Sequence, residues 1–364
     1  MENYSIVSPM MPLSKEWWIG HRSKIRFMRR ATRVSLFLIL LLSACNLPIA
    51  ADCARPEVFC VGLVTAFGKV DDHGLNQSAW EGVMQARDEG LVYKADYIET
   101  IDARDRAKNI RTFAENGYDL IVTVGLSLDE DTRLAADEWP GAAFIGVDQP
   151  PGDSRPNLAT ISFPEDQGGF LAGALAALTT QTGKIAALCE QESIPSMWRS
   201  CEGFRAGVRF ANPDMRARVM YKDEGGTAEF FNDPKWGNDQ ALFMIGEGVD
   251  ILFAAGGETA ISALETASSR GVYVIGVDDE LYYQLKSPDF VLSSVLKQAA
   301  PKVYELIRLA KEGTLPSGEV VGAYALGPYH SLGRLVPPTV QERIEQIRLG
   351  LVDGSIQTNV SREP

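Results

Sequence analysis

The stretch "VFCVGLVTAFGKVDDHGLNQSAWEGVMQARDE", residues 58–89, opens on eight mostly apolar residues and closes on an amphipathic run. The first part, rich in β-branched and aromatic types, reads as a buried strand. The last part, from residue 77, reads as a helix. Between them, "AFGKVDDHGLNQSAWEG" (66–82) gathers two adjacent carboxylates, a histidine, a lysine, an asparagine and a tryptophan. Strand, polar turn and helix form the unit from which parallel sheets are built.

The unit recurs along the chain. Strand-like runs follow at 95–99, 120–124, 142–147 and 159–163, separated by helical stretches at 103–116 and 127–138. A second set lies at 184–189, 218–222, 251–255, 272–277 and 291–295, with helical stretches at 201–211 and 238–247. Two successive five-strand sets predict two similar α/β lobes, each a parallel sheet covered on both faces. Solutes bind such sheets beyond the carboxyl ends of the strands. The informative loops are therefore 67–76, 125–127, 148, 163–167, 190–203, 256–259, 278–280 and 293–297.

Composition narrows the function. The 364 residues carry a net charge of −13, and the first 44 hold seven Lys/Arg against two Asp/Glu, which leaves the remainder at −18. An acidic body is a poor match for nucleic acid, whose phosphates need a basic surface.

The N-terminal segment reads as export machinery, not as fold. "SLFLILLLSA" (35–44) is too short to span a bilayer and follows Arg29, Arg30 and Arg33. The run ends in "LSAC" (42–45), which resembles a bacterial lipobox with Cys45 as the lipidated residue; an ordinary secretory signal, or an uncleaved anchor, is the alternative. Residues 1–44 are expected to be a signal peptide, with Met28 as a plausible true start, and 45–57 a lipidated tether. Four further cysteines, Cys53, Cys60, Cys189 and Cys201, form an even set outside the cytoplasm. Short-loop disulfides Cys53–Cys60 and Cys189–Cys201 are expected, with free buried thiols as the alternative. No cysteine–histidine spacing suggests zinc.

Seven motifs in order resemble the basic membrane protein (BMP) family: "GKVDDHGLNQSAWEG", "ISFPEDQGGFLAGALAALTTQTGKIA", "CEGFRAGVRFANP", "FNDPKWG", "VDILFAAGG", "VIGVDDE" and "VLSSVLK". Members are lipoprotein substrate-binding components of ABC transporters, and the best understood resemble purine nucleoside receptors. The resemblance spans about residues 58–355. It implies a type I periplasmic-binding-protein fold: two doubly wound parallel-sheet lobes joined by three crossing segments, with the ligand in the cleft. The implied N-terminal lobe is 58–163 plus 294–322, and the implied C-terminal lobe is 164–293 plus 323–355, with 356–364 as a tail. Crossings are expected near 163–166, 293–297 and 321–326.

The opening loop admits several chemistries. A metal site needs further converging ligands. A hydrolase needs a positioned nucleophile and a tuned acid/base partner, and no GxSxG is present. A helix cap at Asn76 is a purely structural reading. Ligand contact is the remaining one: carboxylates accept from ribose hydroxyls and an amide can face a base edge. The family likeness places Asp72 and Asn76 on the ligand, not Asp71 or His73. Trp80 stands one helical turn on, where it either touches ligand or packs helix against sheet. In the same family reading Asp278 is the ribose acceptor and Lys297 a donor beside it, while Asp279 and Glu280 are solvated loop charges. Gly125 and Ser127 lie in a strand-end loop. Gly256 and Gly257 let backbone approach a ligand, or simply turn a strand into a helix. "GGFLAGALAAL", with Gly169 and Gly173 four apart, reads as close helix packing.

Three departures weaken the ligand assignment. Gly74 and Leu75 stand where many members have Ser-Phe. Ala66 and Phe67 replace an early Asp, and Phe67 is positioned to restore the lost aromatic surface. An upstream aromatic is absent at Ser200, where Trp198 is the substitute; Trp198 and Phe204 are expected to bound the pocket. No ATP-binding GxxxxGK[ST] occurs, so hydrolysis belongs to a partner subunit. The resulting expectation is a monomeric, lipid-anchored, extracytoplasmic receptor without cofactor or enzymatic activity. It would capture a small polar aromatic solute, a purine nucleoside foremost, and serve an ABC permease and ATPase. A ligand-sensing or surface-interaction lipoprotein and a nucleoside hydrolase are the alternatives.

Overall fold

A computed structural model of the chain describes residues 52–222 and 230–364. The signal-peptide segment, Cys45 and most of the tether lie outside the described residues. Twelve strands among the described residues form two six-stranded sheets. In chain order the strands are β1 Cys60–Thr65, β2 Lys94–Ile98, β3 Leu120–Val124, β4 Ala143–Val147, β5 Leu158–Ser162, β6 Ile185–Cys189, β7 Arg218–Tyr221, β8 Ile251–Ala255, β9 Tyr273–Val277, β10 Val291–Gln298, β11 Gly318–Val321 and β12 Ala323–Leu326. The helices are α1 Leu75–Asp88, α2 Arg106–Glu115, α3 Asp129–Glu138, α4 Glu165–Thr179, α5 Pro195–Ala211, α6 Pro234–Gly246, α7 Gly257–Ser268, α8 Leu281–Gln284, α9 Ala300–Lys311 and α10 Pro338–Asp353.

The first sheet runs β11-β5-β4-β3-β1-β2 and the second β12-β10-β9-β8-β6-β7. All pairings are parallel except β10 with β12. The central strands are buried along their whole length, as expected where helices cover both faces. The two sheets exceed the expected five strands each because the 318–326 segment pairs across both lobes: β11 adds to β5, Gly322 is the crossing, and β12 turns back on β10.

The chain first leaves the N-terminal lobe between β5 and α4. Its return differs from the expected 293–297. β10 stays paired with β9 and then with β12 as far as Gln298, so the change of lobe falls after it. There Ser78 Oγ on α1 accepts the N–H groups of Ala299 and Ala300 at 3.0 and 3.1 Å, which seats the start of α9 on the first lobe.

Helices α4 and α5 interlock through reciprocal glycines. A Cβ at Gly169 or Gly173 would lie 2.0 Å from the carbonyl oxygen of Ser200 or Phe204. A Cβ at Gly203 or Gly207 would lie 2.2 or 2.0 Å from that of Asp166 or Phe170. Backbone against backbone leaves no room for a side chain, so the glycines of "GGFLAGALAAL" serve close helix packing. Cys53 is bonded to Cys60 and Cys189 to Cys201. The second bond ties the end of β6 to α5. No helix among the described residues is long and apolar enough to cross a membrane.

Candidate functional site

At the carboxyl ends of the two sheets, the loops after β1 and β4 meet the loop after β9 and the end of β10. At the centre is Lys297, whose side chain is largely buried. Its ammonium lies 2.9 Å from Asp148 of the first lobe and 3.0 Å from Asp278 of the second. Both aspartates end the same tripeptide, Gly-Val-Asp at 146–148 and 276–278. Both adopt left-handed backbone, with φ of 58° and 70°, which aspartate tolerates better than most residues. Each N–H bonds across to the neighbouring strand, Asp148 to Ile161 and Asp278 to Val295. The two lobes thus present matching carboxylates to one cation. Burial opposes the Lys297 charge, but Asp278, Tyr324 and Asp148 outweigh it and hold the ammonium well above its usual range.

The opening loop folds largely on itself. The Asp72 carboxylate accepts the N–H groups of Gly74, Asn76 and Gln77 at 2.9, 3.1 and 3.0 Å, and so caps α1. Asn76 donates both amide hydrogens to the carbonyls of Phe67 and Lys69 at 3.2 and 3.1 Å. What Asn76 can offer a solute is its carbonyl oxygen. The ties leave Phe67 at the tip of the turn, 74% exposed. Trp80 meets Tyr97 of β2 edge-on at 5.1 Å, so it packs α1 against the sheet. Gly125 leads into the 3-10 turn after β3 and lies against Ala66, and Ser127 is within that turn.

In the second lobe Gly256 and Gly257 carry β8 into α7. Beside them is Phe231, an aromatic that the sequence reading left without a role. Its φ is 60°, its ring is partly exposed, and its carbonyl accepts the Glu258 N–H at 2.8 Å. The signal was available in "FNDPKWG", where an aromatic precedes the Asp233 that caps α6 through the Trp236 N–H at 3.0 Å. Below it, fully buried Glu190 lies 3.5 Å from Lys222, which is also 3.2 Å from Asp233.

Of the two residues expected to bound the pocket, Phe204 is placed elsewhere and Trp198 meets the C-terminal tail. Phe204 is fully buried and stacked on Phe253 at 5.1 Å, so it fills the second lobe's core and not the cleft. Its position on α5, three residues after Cys201, turns it toward the sheet. Trp198 stacks over Tyr221 and donates its indole N–H to Ser361 at 3.1 Å. The C-terminal tail therefore occupies the polar edge of Trp198.

The lobes also touch through residues that were expected to be bystanders. His73 stacks on Tyr283 at 4.1 Å, and its carbonyl accepts the Glu280 N–H at 3.0 Å. Glu280 pairs with His330, whose ring stacks on Tyr282 at 3.8 Å. Asp279 lies against Gly74, and burial, then the charges of Asp72 and Asp278, push its carboxyl up to about 6. Among the described residues no three His, Cys, Asp or Glu side chains converge as metal ligands.

Residues 59–323 match the family described as "ABC transporter substrate-binding protein PnrA-like". The chain is 29% identical to the CD4+ T-cell-stimulating antigen of Listeria monocytogenes, over 82% of this chain and 87% of that protein. It is 28% identical to the ABC transporter nucleoside-binding protein BmpA of Lactococcus lactis, over 81% and 87%. An ABC transporter solute-binding protein from Conexibacter woesei superposes with a TM-score of 0.66 at 22% identity, covering 82% of this chain and 98% of that one.

Proposed function

The chain belongs to the PnrA-like family of ABC transporter substrate-binding proteins, and on that premise we propose that it captures nucleosides, purine nucleosides foremost, outside the cytoplasmic membrane while held there by a lipid on Cys45. A protein of this family binds and releases a solute for a permease; it makes and breaks no bond. The observation that carries the nucleoside reading is the bridge from Asp148 through Lys297 to Asp278. Two carboxylates flanking one ammonium suit a vicinal diol: the hydroxyl hydrogens go to the carboxylates and a hydroxyl or ring oxygen accepts from the lysine. The base then lies between Phe67 of one lobe and Phe231 of the other, since a flat ring gains most from aromatic faces. The Asn76 carbonyl and the outer edge of Asp72 meet its polar rim. Closure about the crossings near 163, 299 and 322 encloses the solute, which stabilises the closed form by touching both lobes.

Isothermal titration of ligand-stripped protein with adenosine, inosine, guanosine, cytidine, uridine and free ribose tests this reading. Purine nucleosides are expected to bind tightest, pyrimidine nucleosides more weakly and ribose least. No heat with any nucleoside overturns the reading.

A further inference from the structure

The residues assigned to the solute leave one interlobe contact without a role. It joins His73 and Gly74, at the turn into α1, to the segment from Asp279 to Tyr283, at the turn out of β9. Three independent features compose it. The Glu280 N–H reaches the His73 carbonyl at 3.0 Å. The His73 and Tyr283 rings stack at 4.1 Å with their planes 20° apart. Gly74 faces Asp279 so closely that a Cβ there would fall 2.0 Å from its Oδ1, 2.9 Å from its Cγ and 3.3 Å from its Cα.

We propose that this contact is a closure latch: protein meets protein across the cleft, and its residues set the affinity for solute through the open–closed equilibrium without touching the solute. Each partner is poised for that role. The Asp72 carboxylate fixes the Gly74 N–H and the start of α1, so the first-lobe side is preformed. The second-lobe side is preformed too: the Leu281 N–H bonds Ser294 Oγ at 2.8 Å, Glu280 pairs with His330, and Gln284 donates to Asp279 at 2.9 Å. Two ordered surfaces then dock with little entropy to lose. A residue at position 74 with any side chain must displace Asp279 from Gln284 before the lobes can meet. Gly74 is therefore a closure residue. Because free energy of closure adds to that of binding, whatever weakens the latch lowers the population competent to hold solute and raises the apparent Kd in proportion.

The affinity readout of the test rests on the nucleoside reading above; the exchange readout does not. Gly74→Val and Gly74→Ala are compared with the double variant Gly74→Ala/Asp279→Ala, using inosine titration, hydrogen–deuterium exchange of the Glu280 amide without ligand, and thermal unfolding. Loss of one hydrogen bond and one stacked pair is worth about tenfold. Gly74→Val is expected to weaken inosine about tenfold and to speed Glu280 exchange about tenfold, with the thermal midpoint unchanged. The double variant returns both readouts from the Gly74→Ala level to wild type or beyond. Unchanged exchange and affinity in Gly74→Val overturn the latch. So does a lowered thermal midpoint with unaltered affinity, which would make the contact permanent lobe packing, and so does a double variant that fails to recover. If wild-type protein binds no inosine, the nucleoside reading fails alone and the exchange result still decides the latch.

Discussion

Asp279→Asn changes one oxygen for one nitrogen at the interlobe contact, and its effect on affinity has a definite sign. Asp279 faces Asp72 on the first-lobe turn, Asp278 beside it, Lys297 on β10 and the Gln284 amide on α8; Glu280, next in sequence, is paired with His330. Burial, then the Asp72 and Asp278 charges, raise the carboxyl from 3.8 to about 6. The whole shift is worth about 3 kcal/mol at about 1.4 kcal/mol per unit. Asp278 and Lys297 stay beside Asp279 when the lobes part, and water screens what remains. The share that depends on closure, burial against Gly74 and the Asp72 charge, is therefore about 1–1.5 kcal/mol, or about tenfold.

A carboxyl whose value is raised in the closed form favours that form at low pH and opposes it once ionised. The apparent affinity for inosine should accordingly fall about tenfold as pH rises through the window from about 5, the value left in the open form, to about 6, and level off above it. Asp279→Asn should flatten this profile and bind about tenfold tighter than wild type at about pH 7.5. Titration calorimetry at four or five pH values measures both. A variant that binds more weakly at neutral pH would mean that the carboxylate serves the solute, and a variant that keeps the slope would place the titration elsewhere; either result refutes the reasoning.

Lys297→Met leaves Asp148 and Asp278 facing each other without their shared cation. It should cost inosine binding about 2–3 kcal/mol, roughly 30- to 150-fold, by calorimetry, because charged hydrogen bonds across the cleft are lost together. Phe204→Ala removes a fully buried ring stacked on Phe253. Denaturant unfolding should show a loss of about 3–5 kcal/mol, with inosine affinity of the folded protein within about twofold of wild type; a large affinity loss at unchanged stability would return Phe204 to the pocket.

Much of this molecule was legible before any tertiary contact was known. Strand runs such as 120–124 and 251–255 coincide with β3 and β8 because burial on both faces demands unbroken apolar sequence. Their alternation with helices dictated parallel sheets, two lobes, and loops at the carboxyl ends as the place for chemistry. The glycine spacing in α4 announced close helix packing. Those are local signals, written within one turn or one strand.

The use of each polar side chain was not a local matter. Asp72 and Asn76 looked like ligand groups, yet backbone donors and acceptors in their own turn take most of their bonding capacity. Lys297 and Asp148, far apart in sequence, meet only because β10 remains in the second sheet to its last residue and carries the lysine to the lobe boundary. Phe204 and Trp198, six residues apart on the same helix, part ways because one faces the sheet and the other the C-terminal tail. Sequence by itself determined the architecture, since periodicity follows from burial. Which carboxylates answer to a solute, and which histidine joins the two lobes, was decided by tertiary structure, because those pairings depend on where separate elements stop and which way their ends point.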